Sequence, residues 1–368
     1  MFIVNAGDIT DPLIDLISIK DPHLNFGFAN RIRHDANSDL INKHQFVRDY
    51  CIKNNIDKLI MTGDVTDTND EKKWSFRQYF LNKTELMKYR DLGIGLFSIA
   101  GNHDMFNGME KTDETVFGEL VREGVISYIT KDNMSFDFMV GDIKKSIVIY
   151  GVDYSKHKEV VEKGLMAIDS IDSENKNLVK IVVLHSHVTP AEVAATDFTY
   201  EYLLKTYRNI SMFICGHYHG GFPTSTFYKK NEDGTDDTTG HVTFINNWSF
   251  QRVVRDYYNE MDVHTPEFER IKFGWSVAYN SFICSCEKVI IPHKSYDDAF
   301  KPKVVQLLRL TKKEQFEFFE KINFEEIPTG NDDLETINNI SKKDNVDAEI
   351  VNLAIMYLNN VNVSDEDI

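Results

Sequence analysis

The chain has 368 residues, of which 42% are hydrophobic, enough to bury one large core or two smaller ones. Its formal net charge is −17, from 58 acidic and 41 basic residues. This charge argues against a protein that binds nucleic acid through a basic surface without help from a partner. Divalent metals or a partner can supply positive charge locally, so the composition does not exclude action on DNA.

The cysteines and the apolar segments indicate a protein of a reducing compartment. The four cysteines have no spacing typical of a metal site, and residues 281–291, which contain two of them, are typical of a strand. We therefore expect no disulfide scaffold. No apolar run approaches the roughly 20 residues that span a bilayer, and residues 1–8 lack the features of a signal peptide. We expect a cytoplasmic protein with no membrane partner.

The first hundred residues alternate short apolar runs with amphipathic segments. The apolar runs predict three strands: residues 13–19, 57–62 and 94–100. Residues 38–55 have apolar side chains at helical spacing, and Ser38 is a plausible N-cap. Residues 73–91 also predict a helix.

The same alternation continues along the chain. Further strands are predicted at residues 144–154, 179–184 and 211–215. Strands that alternate with helices predict an α/β fold with substantial parallel pairing. Five of the strands end in a short polar cluster of Asp, His or Asn residues. Because ligands collect beyond the carboxyl ends of strands in open α/β sheets, clusters that are distant in sequence can converge there.

The first two clusters contain residues suited to a pair of metal ions. Asp21 and His23 are two residues apart, so on an extended segment both can reach one ion. A two-metal hydrolase also needs a carboxylate that bridges cations roughly 3.5–4 Å apart. We predict that this carboxylate is Asp64, which follows Gly63 at a strand end where glycine permits a tight turn.

The later clusters supply further ligands and a candidate acid. The amide oxygen of Asn102 is a neutral donor suited to a second ion. His103 is free to act as an acid or to hold a phosphate oxygen, and we expect Asp104 to orient its imidazole. His217 and His219 repeat the two-residue spacing, so each can serve one ion.

Taken together, these motifs resemble the ordered motif set of the calcineurin-like phosphoesterases. The motifs are Asp21-Pro22-His23, Gly63-Asp64, Gly101-Asn102-His103-Asp104, His185 and Gly216-His217-Tyr218-His219. Each is weak alone, but their order and approximate spacing agree with the family across about residues 13–250. The resemblance implies an α/β sandwich of two mixed β-sheets flanked by helices, with a small C-terminal cap and a helical tail.

The resemblance also implies a role for each residue of the site. The first metal would be held by Asp21, His23, Asp64 and His219, and the second by Asp64, Asn102, His185 and His217. His103 would protonate the leaving oxygen while a hydroxide between the metals attacks phosphorus in line. The cofactors implied are two divalent ions, with manganese expected and iron or zinc as alternatives, because a mixed nitrogen and oxygen site does not choose among them.

Some positions depart from the family pattern. The first motif lacks the usual small residues before its aspartate, since Lys20 precedes Asp21. No Arg-Gly pair follows Asp67, so the signature of the protein Ser/Thr phosphatases is absent. His185 and His187 both qualify for one ligand position, and we prefer His185 because it lies directly at the strand end.

Within the family, the chain resembles the SbcD-type DNA repair exonucleases, including their compact viral versions. The resemblance lies in residues 245–252, 264–272 and 289–300, although Asn246-Asn247 stands where a Gly-Ser pair is expected. It implies a DNA exonuclease or endonuclease of recombination and repair. The partners implied are DNA and an SbcC-like coiled-coil ATPase, with a homodimer as a further possibility.

Two alternatives remain open from the sequence. The acidic net charge favours a small-molecule phosphodiesterase or phosphatase that acts on nucleotides or cyclic nucleotides. A non-catalytic scaffold is disfavoured, because unused ligands would leave mutually repelling carboxylates.

The chain is expected to have three parts. Residues 1–250 are predicted to form the catalytic domain, residues 251–310 a capping region, and residues 311–368 a helical partner-docking segment with an acidic tail. Within the last part, residues 311–325 or 344–360 are the candidate docking helices.

Overall fold

The computed structural model of the chain describes residues 2–4, 9, 12–24, 36–66, 76–105, 112, 115–130, 134–175, 177–193, 196–231, 233–250, 265–276 and 281–293. The predicted docking segment, residues 311–368, and Asp67 lie outside the described residues.

The described residues form fifteen strands and five α-helices. The strands are β1 (Phe2–Ile3), β2 (Ile14–Ile19), β3 (Lys58–Met61), β4 (Gly95–Ser98), β5 (Ser127–Tyr128), β6 (Met134–Val140), β7 (Ile143–Val152), β8 (Leu178–Ser186), β9 (Val188–Thr189), β10 (Phe198–Thr199), β11 (Ile210–His217), β12 (Ser225–Lys230), β13 (Asp236–Ile245), β14 (Glu267–Ser276) and β15 (Ser281–Ile290). The helices are α1 (Ala36–Asn54), α2 (Phe76–Asp91), α3 (Val116–Arg122), α4 (Lys158–Ser170) and α5 (Tyr200–Thr206), and Asn102–Asp104 form a single 3₁₀ turn.

Two large mixed sheets organise these strands. The first sheet has the order β1-β15-β14-β2-β3-β4-β5, and its strands β2 to β5 are parallel. The second sheet has the order β12-β13-β11-β8-β7-β6, in which β7, β8, β11 and β13 are parallel. Strands β9 and β10 form a separate pair.

The two sheets pack face to face because their strands are apolar on both sides. In the first sheet, Leu16 and Ile60 join the core between the sheets. Their neighbours Ile17, Leu59 and Met61 point the other way, into the core beneath the helices. This alternation follows from the two-residue period of a strand, and it explains why these strands are continuous apolar runs in the sequence.

Helices cover the outer face of each sheet. Side chains of α1, α2 and α3, such as Val47, Leu86 and Phe117, pack in the core on the first sheet. Leu165 of α4 and Leu203 of α5 pack in the core on the second sheet. The prediction of an α/β sandwich with two mixed sheets flanked by helices is confirmed.

The carboxyl ends of β2, β3, β4, β8 and β11 carry the five polar clusters of the sequence. Parallel pairing of β2 with β3 and of β3 with β4 brings three of the clusters to one edge of the first sheet. Parallel pairing of β8 with β11 does the same for the other two in the second sheet. The site is therefore built where the loops of both sheets meet.

Strands β14 and β15 fall within residues 251–310, the range predicted to be a capping region. Both are hydrogen-bonded into the first sheet, where β14 runs antiparallel to β2. The side chain of Arg270 in β14 donates to both oxygens of Asp15 in β2, at 3.0 and 2.6 Å. These two strands are therefore part of the sheet that carries the first three clusters, and the rest of the predicted cap lies outside the described residues.

None of the helices described by the structure is long and apolar enough to cross a membrane.

Candidate metal centre

All nine site residues predicted from the sequence lie in the described part of the chain. Two groups of side chains place their potential ligand atoms within 4.8 Å of one another. These groups are His23, Asp64 and His103, and Asp64, His185 and His217. Asp64 is common to both, which is the position that a bridging carboxylate must occupy.

The side chain of Asp64 shows that the site fits cations. Its Oδ2 atom lies 3.6 Å from Nε2 of His23 and 3.3 Å from Nε2 of His185. Within the described residues, this buried oxygen accepts no hydrogen bond of ordinary geometry. A buried carboxylate oxygen left in this way is costly, whereas divalent cations between Asp64 and the two histidines would satisfy it.

His219 completes the group around His23. The Nε2 atoms of His23 and His219 lie 2.9 Å apart, with their rings nearly perpendicular. Two neutral imidazoles at this distance form one N–H···N hydrogen bond, and both nitrogens could face one ion if that hydrogen moved to the other nitrogen of its ring. The ring of His103 also lies edge-on to His23, with centroids 4.9 Å apart.

His185 and Asn102 lie on the other side of Asp64. Nε2 of His185 is 3.2 Å from Oδ1 of Asn102. The ring of His217 is 4.8 Å from that of His185. His187 stacks on His217 with centroids 4.1 Å apart, so between the two candidates of the sequence it is His185 that faces Asp64.

Asp21 reaches the same cluster but is held by the protein. Its carboxylate accepts hydrogen bonds from the backbone N of His217, at 2.9 and 3.2 Å, and from Oγ1 of Thr62 at 3.2 Å. It also lies 3.7 Å from Nδ1 of His185. Asp21 thus joins three of the loops, and its role as a ligand of the first metal stays a prediction.

Asp104 holds the backbone of two neighbouring loops. Its two oxygens accept hydrogen bonds from the backbone N of Val65, Thr66 and Gly101 and from the Thr66 hydroxyl, at 2.7–3.0 Å. The carboxylate is fully buried. Asp104 therefore ties the Asp64 loop to the Asn102 loop, and its expected role in orienting the His103 imidazole stays a prediction.

Comparison with known proteins identifies the family. The family model described as calcineurin-like phosphoesterase matches residues 3–221. The chain belongs to this family. It is accordingly a metal-dependent hydrolase, and the family implies two divalent ions.

Individual relatives are more distant. The DNA double-strand break repair protein Mre11 of Sulfurisphaera tokodaii is 28% identical over 221 residues, which cover 55% of this chain and 48% of that protein. The matched region thus spans about half the length of this relative. A dimetal phosphatase from Danio rerio is 12% identical with a TM-score of 0.42, and covers 77% of this chain and all of its own. A Thermus thermophilus protein is also 12% identical, with a TM-score of 0.38 over 76% of this chain and 99% of its own.

The loops of this phosphoesterase hold several of the predicted ligands in a strained backbone. Asp21, His23, Asp64 and His217 have φ angles of 42°, 43°, 47° and 76°. Non-glycine residues in this region cost about 1–3 kcal/mol each and persist where surrounding contacts enforce them. The hydrogen bonds to Asp21, Asp64 and Asp104 supply such contacts, so the protein itself fixes the positions of these predicted ligands.

Close packing of the loops depends on glycine at two of the motif positions. A Cβ atom on Gly101 would lie 2.1 Å from Oδ1 of Asp64, and one on Gly216 would lie 2.4 Å from the carbonyl oxygen of Thr62. Any side chain there would force the loops apart. The sequence motifs therefore contain glycine because the ligand loops touch.

Burial keeps two of the histidines neutral. It lowers the pKa of His217 to about 2 and that of His219 to about 3, and the neighbouring histidines add to the effect. A neutral imidazole is the form that binds a metal. These two side chains are thus ready to bind without losing a proton.

His185 and Asp64 form an oppositely charged pair. Burial alone lowers the pKa of His185, but Asp64, Asp21 and the Thr62 carbonyl together raise it to about 9. Burial raises the pKa of Asp64, but the imidazoles of His185, His23 and His103 hold it well below its usual value. A cation that bound to His185 would therefore have to displace a proton from it.

Three residues that shape the site were not predicted from the sequence. Thr62 hydrogen-bonds both Asp21 and His185, and a polar residue at a strand end was its only signal. Lys20 and Asn246 were noted only as departures from the family. The structure buries both and joins them by a hydrogen bond between Nζ of Lys20 and Oδ1 of Asn246.

Proposed function

We propose that this phosphoesterase is a DNA nuclease of recombination and repair that uses two divalent ions, with manganese as the expected metal. The observation that carries the chemistry is Asp64 shared between two groups of histidines. The observation that favours DNA is the match over 221 residues to a protein named for DNA double-strand break repair.

The residues present suit hydrolysis of a phosphodiester. When bound, two divalent ions would neutralise the charge on the phosphate and lower the pKa of an attacking water. Asp64 would lie between the ions, His23 and His219 on one side, and Asn102, His185 and His217 on the other. His103, which is partly exposed beside His23, would donate a proton to the leaving oxygen.

We further propose that an SbcC-like coiled-coil ATPase assists the binding of DNA. A net charge of −17 gives the chain little attraction for a polyanion beyond the metal centre. A partner with a basic surface would supply that attraction. Residues 311–325 or 344–360 are the proposed docking helices, because their apolar residues have helical spacing.

The acidic net charge and the burial of Asn246 and Asn247 favour a second candidate, a small-molecule nucleotide phosphodiesterase or phosphatase. Asn246 donates to the carbonyl of Val188 at 2.6 Å. The amide of Asn247 pairs with the side chain and backbone of Glu269, at 3.1 and 3.0 Å. These amides are thus engaged inside the protein, at the positions where the resemblance to the SbcD-type exonucleases led us to expect a Gly-Ser pair.

A substrate panel separates the two functions. The protein is incubated with manganese and with linear duplex DNA, single-stranded circles or bis-p-nitrophenyl phosphate, with and without the ATPase. Cleavage of DNA, stimulated by the ATPase, is the expected result. Hydrolysis of the chromogenic ester with DNA left intact even beside the ATPase would establish the second candidate instead.

The docking proposal has its own test. A form that ends near residue 305 should fail to capture the ATPase in a pull-down while it still hydrolyses bis-p-nitrophenyl phosphate. Capture by the truncated form at the level of the full chain would defeat the docking role of residues 311–368.

A further inference from the structure

A lysine side chain is buried directly behind the metal centre. Lys20, which precedes the ligand Asp21, is only 2% exposed. Its Nζ atom donates to the carbonyl oxygen of Gly220 at 3.0 Å and to Oδ1 of Asn246. A buried ammonium group is costly unless it is hydrogen-bonded, so these contacts are strongly favoured.

These contacts link three of the five ligand loops. Gly220 follows the ligand His219 directly, so Lys20 fixes that loop to the end of β2, where Asp21 and His23 lie. Asn246 donates in turn to the carbonyl oxygen of Val188, just beyond the His185 strand. The Lys20 backbone also takes part, since its carbonyl accepts from the backbone N of Phe250 at 2.8 Å.

Lys20 contributes to one side of the metal centre and not to the other. On one side, the loop of His219 is held to β2 through the Lys20 ammonium. On the other side, His185 is fixed by its own hydrogen bond to the carbonyl of Thr62, 2.7 Å away, in which Lys20 has no part. Loss of the ammonium group should therefore disturb one ion position more than the other.

We propose that Lys20 and Asn246 are a positioning pair that sets the His219 loop against Asp21 and His23, and so assembles one of the two ion positions before an ion binds. This inference rests on the two-metal site and not on the identity of the substrate. Neither residue touches the reacting atoms. Their effect is on how well the loop is preorganised to accept the ion.

The test replaces the ammonium with a side chain of similar length. Lys20→Met keeps the packing volume but cannot donate to Gly220 or Asn246. Manganese binding is measured by titration calorimetry, and the coupling between two bound ions by electron paramagnetic resonance. We expect binding at one of the two positions to weaken by about tenfold to a hundredfold, as for other residues that orient metal ligands. The signal of a coupled pair should then give way to that of isolated ions.

Lys180→Met is the matched control. Lys180 is another lysine that is 2% exposed, and its Nζ atom donates to the carbonyls of Ile168 and Asp169, remote from the metal loops. This variant also loses a buried ammonium, so its folding stability should fall. Its binding of two manganese ions and its coupled signal should stay as in the original protein.

Asn246→Ala keeps the proposal testable even if Lys20→Met does not fold. Asn246→Ala should weaken the same ion position, by less than Lys20→Met, because Gly220 still accepts from Lys20. Where Lys20→Met folds, the two losses should be less than additive in the double variant Lys20→Met/Asn246→Ala, as expected for residues that act through one contact. The proposal is overturned if Lys20→Met, or Asn246→Ala where the former does not fold, binds two coupled ions with the original affinity. Fully additive losses would equally overturn the pairing.

Discussion

Nδ1 of His185 lies 2.7 Å from the carbonyl oxygen of Thr62. Because a carbonyl only accepts hydrogen bonds, Nδ1 carries a proton, and Nε2 is the nitrogen that faces Asp64 and Asn102. In metal sites, a hydrogen bond from the second ring nitrogen of a histidine to a backbone carbonyl fixes the tautomer and the orientation of the ring. The bond to Thr62 would do the same for His185. Whether His185 can bind a cation therefore depends on whether Nε2 carries a proton.

Metal binding should release about one proton near pH 7.5. The pKa of His185 in the metal-free protein, about 9, lies above its ordinary value of 6.5, so at this pH Nε2 is protonated and must lose its proton to bind a cation. His217 and His219, whose pKa values are lowered by burial, contribute none. Calorimetric titration with manganese in buffers of different ionisation enthalpy measures the release.

The sign of this effect also predicts the pH dependence of affinity. Manganese should bind more tightly as the pH rises toward about 9, and the proton release should fade above that value. A release that stays at zero in every buffer at pH 7.5 would contradict the assigned state of His185.

His103→Ala should leave metal binding intact and slow hydrolysis by about a hundredfold to ten thousandfold, the usual contribution of a general acid. The expected result is two bound manganese ions by titration, with a lower rate on bis-p-nitrophenyl phosphate. The control is His157→Ala, since His157 is 54% exposed and outside the site. Loss of an ion in parallel with activity would instead make His103 a ligand, a role that its place beside His23 and Asp64 also permits.

Asp64→Asn should weaken both ion positions at once. Asp64 faces His23 on one side and His185 on the other, and an amide cannot supply the negative charge that a bridge between two cations requires. Metal content by elemental analysis should fall well below two ions for each chain, and hydrolysis should fall with it. Asp57→Asn, at a carboxylate that is 64% exposed, is the control. Full occupancy of one position in Asp64→Asn would show that Asp64 does not bridge.

Gly101→Ala should damage the site through packing. The new Cβ would lie 2.1 Å from Oδ1 of Asp64 and 2.3 Å from the backbone N of that residue, so the two loops must separate. We expect a loss of stability of about 1–3 kcal/mol in denaturant unfolding, typical of overpacking, together with weaker manganese binding.

Gly164→Ala is the matched control for this packing effect. Gly164 lies within α4, where a Cβ would meet its nearest neighbour at 3.6 Å, an ordinary contact. Alanine in a helix is favoured over glycine by about 1 kcal/mol, so this variant should be at least as stable as the original protein. If Gly101→Ala behaved like Gly164→Ala, the loops would have to be looser than the structure shows.

The sequence predicted the strands that lie in the centre of the two sheets. Strands such as β3 and β8 are buried on both faces and are therefore continuous apolar runs. It did not predict β6 or β12, which lie at sheet edges and expose many of their residues, so their composition resembles that of a loop. Local patterns also do not show which strands pair with each other. The pairing of β14 with β2, for example, joins residues about 250 positions apart.

Part of the site was also predictable from the sequence. Strand ends and residue chemistry were enough to predict that His23, Asp64 and His185 lie close together, because convergence at sheet edges follows from parallel pairing. Side-chain direction was not predictable, and Asp104 turned out to hold backbone amides. The contact between Lys20 and Asn246 was also beyond the sequence, since it needs two loops that are 226 residues apart to meet.

The place of β14 in the first sheet bears on how the chain can be divided. A fragment that stopped at residue 250 would strip β2 of its antiparallel neighbour and expose a row of unpaired backbone groups beside the strand that leads to Asp21 and His23. Open, apolar edges of this kind invite association between copies. Precipitation of such a fragment would therefore reflect a missing strand. Limited proteolysis of the full chain should leave a stable product that extends past β15.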